Sequence, residues 1–233
     1  MLYRNVEERC FNTPNKYAIY NTITTIHYNK KIKGEKLYMH ENTPRYDLII
    51  FDLDNTMTKL QPTLDMISDY FNKEKISETE IKSFNLTDSF GVTPDEEKEF
   101  WSQESEVVIN SVYAKERIER IKEIFAHKHT TYIIVTNRHN ALRSLTEQWL
   151  DKNQIVYDRL ECIGKQDKAK WITENIKTDS DMEKIVFEDN PAFFQSLAYG
   201  KLCNEYYTAV IKYPYNGHIQ KSDDYYVDYA IDA

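Results

Sequence analysis

The stretch Leu48-Ile49-Ile50-Phe51-Asp52-Leu53-Asp54-Asn55-Thr56 decides the fold. Its first four residues form an unbroken apolar run. That is the pattern of a short strand buried on both faces, since a half-exposed strand alternates apolar with polar residues. Its last five residues set two carboxylates, an amide and a hydroxyl at the strand's C-terminal end. The pattern recurs twice. Tyr132-Ile133-Ile134-Val135 runs into Thr136-Asn137-Arg138, and Lys184-Ile185-Val186-Phe187 runs into Glu188-Asp189-Asn190. Ala209-Val210-Ile211 is a fourth apolar run.

Helical periodicity fills the gaps between these runs. Ile118, Ile121 and Phe125 share one face, as do Leu142, Leu145 and Trp149, and then Ala169, Ile172 and Ile176. Asn190-Pro191 reads as N-cap and first helical residue, followed by the apolar stripe Phe193, Phe194, Leu197 and Ala198. Strands alternating with helices imply an α/β fold: a parallel, Rossmann-like sheet in a three-layer α/β/α arrangement. The alternation breaks once. Roughly eighty residues separate Phe51 from Thr131, where a plain strand–helix–strand crossover needs about thirty. The helix over 114–126 completes that crossover, so residues 61–112 are an insertion. Leu64, Ile67, Tyr70 and Phe71 form a helical stripe in it, and Thr93-Pro94-Asp95-Glu96 reads as a capped helix start. An insertion leaving at this point sits over the strand's C-terminal end, where open α/β sheets bind ligands.

The domain plan that follows has four parts. Residues 47–60 and 113–212 form the core, and residues 61–112 form a helical cap. Residues 1–46 are an N-terminal extension, and residues 213–233 a tyrosine- and aspartate-containing tail. In the extension, Tyr17–Tyr28 favours extended structure, and the lysine-rich turn Lys30–Gly34 folds it back toward Leu37–His40 as a hairpin.

Composition limits the chemistry. Only five of the 233 residues are glycine, and no two lie close together, which excludes glycine-rich dinucleotide and phosphate loops. The net charge of −8 argues against a general nucleic-acid binder. Cys10, Cys162 and Cys203 form no close pair and read as buried thiols of a reducing compartment. The first ten residues lack the apolar core of a signal peptide, and no apolar run could span a bilayer. A cytoplasmic, membrane-free protein is the expectation.

Parallel strands bring Asp52, Asp54, Thr136, Asn137, Arg138, Glu188 and Asp189 to one edge of the sheet. Carboxylates converging there repel one another unless a cation holds them, and hard oxygen ligands with room for water and phosphate suit Mg²⁺. Asp52–Thr56 is not a calcium EF-hand loop, because its sixth position is Met57 and its twelfth Thr63. A plain surface turn is the other reading of those residues taken alone.

With these residues in view, the chain resembles the haloacid dehalogenase-like (HAD) phosphohydrolases. Leu48–Thr56 is similar to that family's first motif and Thr136 to its second. Lys168, in Gln166-Asp167-Lys168-Ala169 at a predicted helix start, is similar to the third. Glu188-Asp189 is similar to the fourth. The four occur in family order over about Asp47–Ile211. Asn55 departs from the pattern, standing where many members have glycine; Asn tolerates unusual backbone angles. The insertion resembles the family's type-one cap. Together with the T-N-R and D-K-A details, it is most similar to the 5'(3')-deoxyribonucleotidase-like branch.

The resemblance implies roles. Asp52 is the nucleophile that becomes an aspartyl-phosphate, and Asp54 the general acid/base. Members that act as dehalogenases lack the second aspartate, so Asp54 points to phosphate chemistry. Mg²⁺ is held by Asp52, the Asp54 carbonyl and Asp189, with Glu188 a ligand or a water-mediated neighbour. Thr136 and Lys168 bind and neutralise the phosphoryl group, and the backbone N–H groups of Leu53–Asn55 and Asn137 cradle it. Alternatives stay open at several positions. Lys165 competes with Lys168, and Thr136 could simply cap the next helix. Arg138 is either a phosphate clamp or half of a surface ion pair. Phe100 and Trp101 either stack on a substrate base or pack between cap helices. Phe84 and Phe90 are weaker candidates.

The expected activity is Mg²⁺-dependent hydrolysis of a small phosphomonoester, with nucleotides among the candidate substrates. Its rivals are a 3'-end nucleic-acid phosphatase and a non-catalytic interaction module on the same fold. The sequence carries no signal for oligomeric state.

Overall fold

A computed structural model describes residues 24–26, 45–83, 85–200, 206–219 and 227–233. Seven strands are described: β1 (Thr24–Ile26), β2 (Tyr46–Phe51), β3 (Ala126–Thr136), β4 (Arg159–Cys162), β5 (Lys184–Glu188), β6 (Tyr207–Lys212) and β7 (Tyr229–Asp232). They form one sheet in the order β1-β7-β6-β5-β2-β3-β4. Every neighbouring pair is parallel.

The central strand shows why the apolar run is continuous. Ile49 and Phe51 pack in one core cluster, while Leu48 and Ile50 pack in another. Both faces of β2 are therefore covered, and all four residues are at most 1% exposed. On the first face lie α5 (Lys115–Phe125) and α6 (Arg143–Lys152), through Ile118, Ile121, Phe125, Trp149 and Leu150. On the second lie α7 (Lys168–Asn175) and α8 (Pro191–Gly200), through Ala169, Ile172, Phe193, Phe194 and Leu197. The result is the three-layer α/β/α fold expected. The Asn190 side chain accepts from the Ala192 N–H at 3.0 Å, so the predicted cap of α8 is in place.

Residues 61–110 carry α1 (Gln61–Tyr70), α2 (Leu86–Phe90), α3 (Pro94–Trp101) and α4 (Glu104–Asn110). Thr93 and Glu96 make a reciprocal capping box at the start of α3. The two chain segments joining this helical insertion to the sheet run antiparallel, bridged at Thr58 and Tyr113. Two backbone bonds of 2.8 Å flank that bridge, Lys59 N–H to Val112 and Ala114 N–H to Met57.

Three features differ from the sequence expectations. Strand β3 starts at Ala126, five residues before the predicted start, because it continues through the polar stretch His127–Thr131. Strand β4 has no apolar run to announce it: its burial simply alternates over four residues at the sheet edge. The segment 213–233 is not merely a tail, since Tyr229–Ile231 pairs with both β6 and β1. Of the expected N-terminal hairpin, only Thr24–Ile26 is described, as a strand parallel to β7. Its remainder, Cys10, Cys203 and Phe84 lie outside the described residues. Among the described residues, no helix is long and apolar enough to cross a membrane.

Candidate active site

The C-terminal ends of β2, β3 and β5 meet through their pairing. Phe51 is in register with Phe187 on one side and Ile134 on the other, so Asp52 and Glu188 emerge at one level and Thr136 one residue beyond it. Helix α7 then starts with Lys168, whose ammonium donates to both Asp52 Oδ1 and Glu188 Oε2, the latter at 2.5 Å. All three side chains are at most 7% exposed. Lys168 is therefore the lysine that meets the carboxylates. Lys165 lies in the loop after β4, where it lines a shallow surface pocket with His139, Glu161 and Trp171.

Asp52, Glu188 and Asp189 each present an oxygen within 4.8 Å of the others, and all three are buried. Three carboxylates against one ammonium leave the cluster short of positive charge. Burial, then the charge of Glu188, pushes the Asp52 carboxyl up to about 7, against the pull of Lys168. Burial, Glu188 and Asp52 also raise Asp189 well above the usual carboxylate range. Burial lowers Lys168, but its two carboxylate partners outweigh that and raise it. A buried, oxygen-only donor set with excess negative charge fits a hard divalent cation such as Mg²⁺.

Glu188 is heavily engaged already. Its Oε1 accepts the Asp189 and Asn190 N–H groups, both at 3.0 Å, while Oε2 takes Lys168. Its structural work is to hold Lys168 and the start of the β5–α8 turn.

Asp54 is paired in a way the sequence does not suggest. Arg138 grips it with two bonds, Nε to Oδ2 at 3.0 Å and Nη2 to Oδ1 at 2.7 Å. The third arm of the guanidinium donates to Thr146 Oγ1 on α6 at 3.3 Å. The Arg138 side chain is 2% exposed and that of Asp54 42%. This corrects the expectation for Arg138, which is neither half of a surface ion pair nor free to clamp phosphate. It is a buried partner of Asp54. Glu104, at the start of α4, lies close enough that its carboxyl is raised by burial and then by the Asp54 charge.

The remaining candidates are placed as follows. Thr136 is fully buried, and its hydroxyl accepts the Arg138 N–H at 3.2 Å. Asn137 is exposed and ties the end of β3 to the β4–α7 loop, donating to the Gly164 and Gln166 carbonyls at 2.6 and 3.0 Å. Leu53 is buried, and its carbonyl anchors the turn by accepting from Met57 and Thr58. Asn55 has φ of +62°, the left-handed conformation that Asn tolerates and glycine prefers. Its N–H, expected in a backbone phosphate cradle, is bonded to Thr58 Oγ1 at 2.9 Å. Its side chain instead donates to Asp189 Oδ2 at 3.3 Å.

Phe100 is 2% exposed and packs edge-on against Tyr70 and Trp101. It is core of the insertion, which is the packing alternative of its two expected readings. Trp101 is 40% exposed. Phe90 is buried.

Sequence patterns gave no warning of the buttress behind this site. Arg117 donates to the Asn55 and Thr56 carbonyls at 2.9 and 3.0 Å. Tyr213, directly after β6, donates to the Asn55 carbonyl at 2.8 Å. Tyr215 donates to Asp189 Oδ2, and Asn216 to the Asp189 carbonyl at 2.7 Å. The only sequence signal is Tyr-Pro-Tyr-Asn at a strand end, which reads as a turn.

No family model matches the chain. It is 25% identical over 121 residues to a protein of Halalkalibacterium halodurans provisionally named a nucleotidase, covering 52% of this chain and 61% of that one. It is 26% identical over 143 residues to a protein of Bacillus subtilis with the same provisional name, covering 60% and 68%. The chain thus spans less than two thirds of the first of these relatives. Among solved structures, a haloacid dehalogenase-like hydrolase from Bacteroides fragilis superposes with a TM-score of 0.50 at 14% identity, over 80% of this chain and 97% of that one. The chain has the haloacid dehalogenase-like hydrolase fold that its four motifs resemble.

Proposed function

We propose that this chain is a Mg²⁺-dependent phosphatase that hydrolyses a small phosphomonoester through an aspartyl-phosphate, with a nucleotide as the leading substrate class. One observation carries the proposal: a buried cluster of Asp52, Glu188 and Asp189, with Lys168 bridging the first two, at the C-terminal edge of a parallel sheet. The provisional nucleotidase names of the two sequence relatives support the substrate class, as does the exposed Trp101 on the helical insertion. The insertion, residues 61–112, is the proposed cap.

Mg²⁺ would be held by Asp52, the Asp54 carbonyl and Asp189, and when bound it polarises the phosphoryl oxygens and offsets their charge. The chain's own groups do the rest. The Asp52 oxygen not tied to Lys168 attacks phosphorus, the P–O bond to the leaving group breaks, and Asp54 delivers the proton that the leaving oxygen takes up. Lys168 keeps Asp52 ionised and aimed, and meets charge on the transferring group. Water, relieved of its proton by Asp54, then attacks phosphorus and frees Asp52.

The test is phosphate release from aryl phosphates and a nucleotide panel, with and without Mg²⁺. Metal-dependent turnover that disappears in Asp52→Asn is the expected result. No turnover on any ester, with the metal bound, overturns the proposal.

A further inference from the structure

The segment after β6 is built against the acidic cluster in a way that packing alone does not require. Pro214–Asn216 forms a single 3₁₀ turn. Tyr213, Tyr215 and Asn216 are each at most 5% exposed. The two tyrosine rings stack at 5.4 Å and 12°. The turn is locked internally, because Asn216 Oδ1 accepts the Tyr213 N–H at 2.7 Å. From this platform two donors reach one residue. The Tyr215 hydroxyl meets Asp189 Oδ2, and Asn216 Nδ2 meets the Asp189 carbonyl while also holding the Ile211 carbonyl at 2.9 Å. Among the described residues, the other carboxylate oxygen, Oδ1, has one bond, from Thr56 Oγ1 at 3.4 Å.

We infer that Tyr215 and Asn216 are positioning residues for a divalent cation: they fix the Asp189 carboxylate by its Oδ2 and its carbonyl, leaving Oδ1 for the cation. The inference rests on the metal site proposed above. Its physical basis is general. A carboxylate that must bind a metal gains affinity when its free rotation has already been removed by groups behind it, and loss of such a partner typically weakens binding by ten- to a hundredfold. A phenol suits the task, because its hydroxyl can donate to one oxygen while its ring fills the apolar space beneath. Tyr213 serves the same assembly from the other side, holding the Asn55 carbonyl and thereby the left-handed turn that carries Asn55 Nδ2 to Asp189.

The experiment is direct Mn²⁺ binding, followed by electron paramagnetic resonance, on the full chain and on Tyr215→Phe. Melting by circular dichroism checks that the variant folds. Removing one hydroxyl while keeping the ring is expected to weaken Mn²⁺ by about tenfold or more. Equal Mn²⁺ affinity in a folded Tyr215→Phe chain overturns the positioning role and leaves the phosphatase proposal standing. No Mn²⁺ binding by the parent chain overturns both. A second measurement needs no variant: ¹³C NMR of ring-labelled tyrosine in the parent. Here a tyrosine ζ-carbon resonance is expected to move on Mg²⁺ addition, and a spectrum with no tyrosine response overturns the inference.

Discussion

Arg138 shows how a side chain's task depends on where its strand ends. It follows a buried strand, so its guanidinium enters the protein and finds the Asp54 carboxylate with two bonds. Paired this way, the Asp54 carboxylate has a fixed direction, and in the proposed mechanism a general acid/base that is aimed is worth more than one that rotates. Arg138→Met is expected to slow hydrolysis of an alkyl phosphate about a hundredfold. An aryl phosphate with an acidic phenol should be much less affected, because that leaving group departs without a proton. The ratio of kcat values for the two esters checks this, and equal losses would mean that Arg138 only supports packing. Arg138→Lys is not expected to restore the ratio, since an ammonium cannot form the paired bonds. At the same scale, Asn55 was legible as a tolerant stand-in for glycine, and its φ of +62° agrees. Its bond to Asp189 was not legible, because partners 134 residues apart leave no local pattern.

Among elements, the strands with continuous apolar runs were legible because burial on two faces removes the need for alternation. Strands β4 and β7 were not. Each has four residues and stands at or beside an edge of the sheet, where neighbours rather than composition decide pairing. Caps at Thr93 and Asn190 were read correctly because their chemistry is local. The helical insertion was legible as helices, but the division of labour between Phe100 and Trp101 was not, because it is set by the Tyr70 ring of α1, which packs on Phe100. Phe100→Ala is expected to cost about 3–5 kcal/mol, seen as a lower denaturation midpoint. Trp101→Ala should leave that midpoint nearly unchanged and raise KM for nucleotides while sparing a small aryl phosphate. If both esters suffer equally, Trp101 has only a packing role.

For the whole molecule, the acidic edge makes stability and ligand binding one problem. Buried carboxylates that repel one another oppose the folded state, and a cation bound only there relieves them. Mg²⁺ at about a hundred times its dissociation constant should stabilise the chain by about 2.7 kcal/mol, a rise of roughly 5–10 °C in Tm. Scanning calorimetry with chelator and then with Mg²⁺ checks this, and coincident melts would show that the cluster takes no metal. The bridge between Thr58 and Tyr113 has a separate consequence. The segment between them departs and returns at the same place, so the sheet closes around a gap that a short turn could span. The proposed cap thus enters and leaves by one doorway: its loops can be lengthened or traded without altering the strand order, as long as the apolar side chains it sends into the shared core, Leu64 and Val108 among them, are kept.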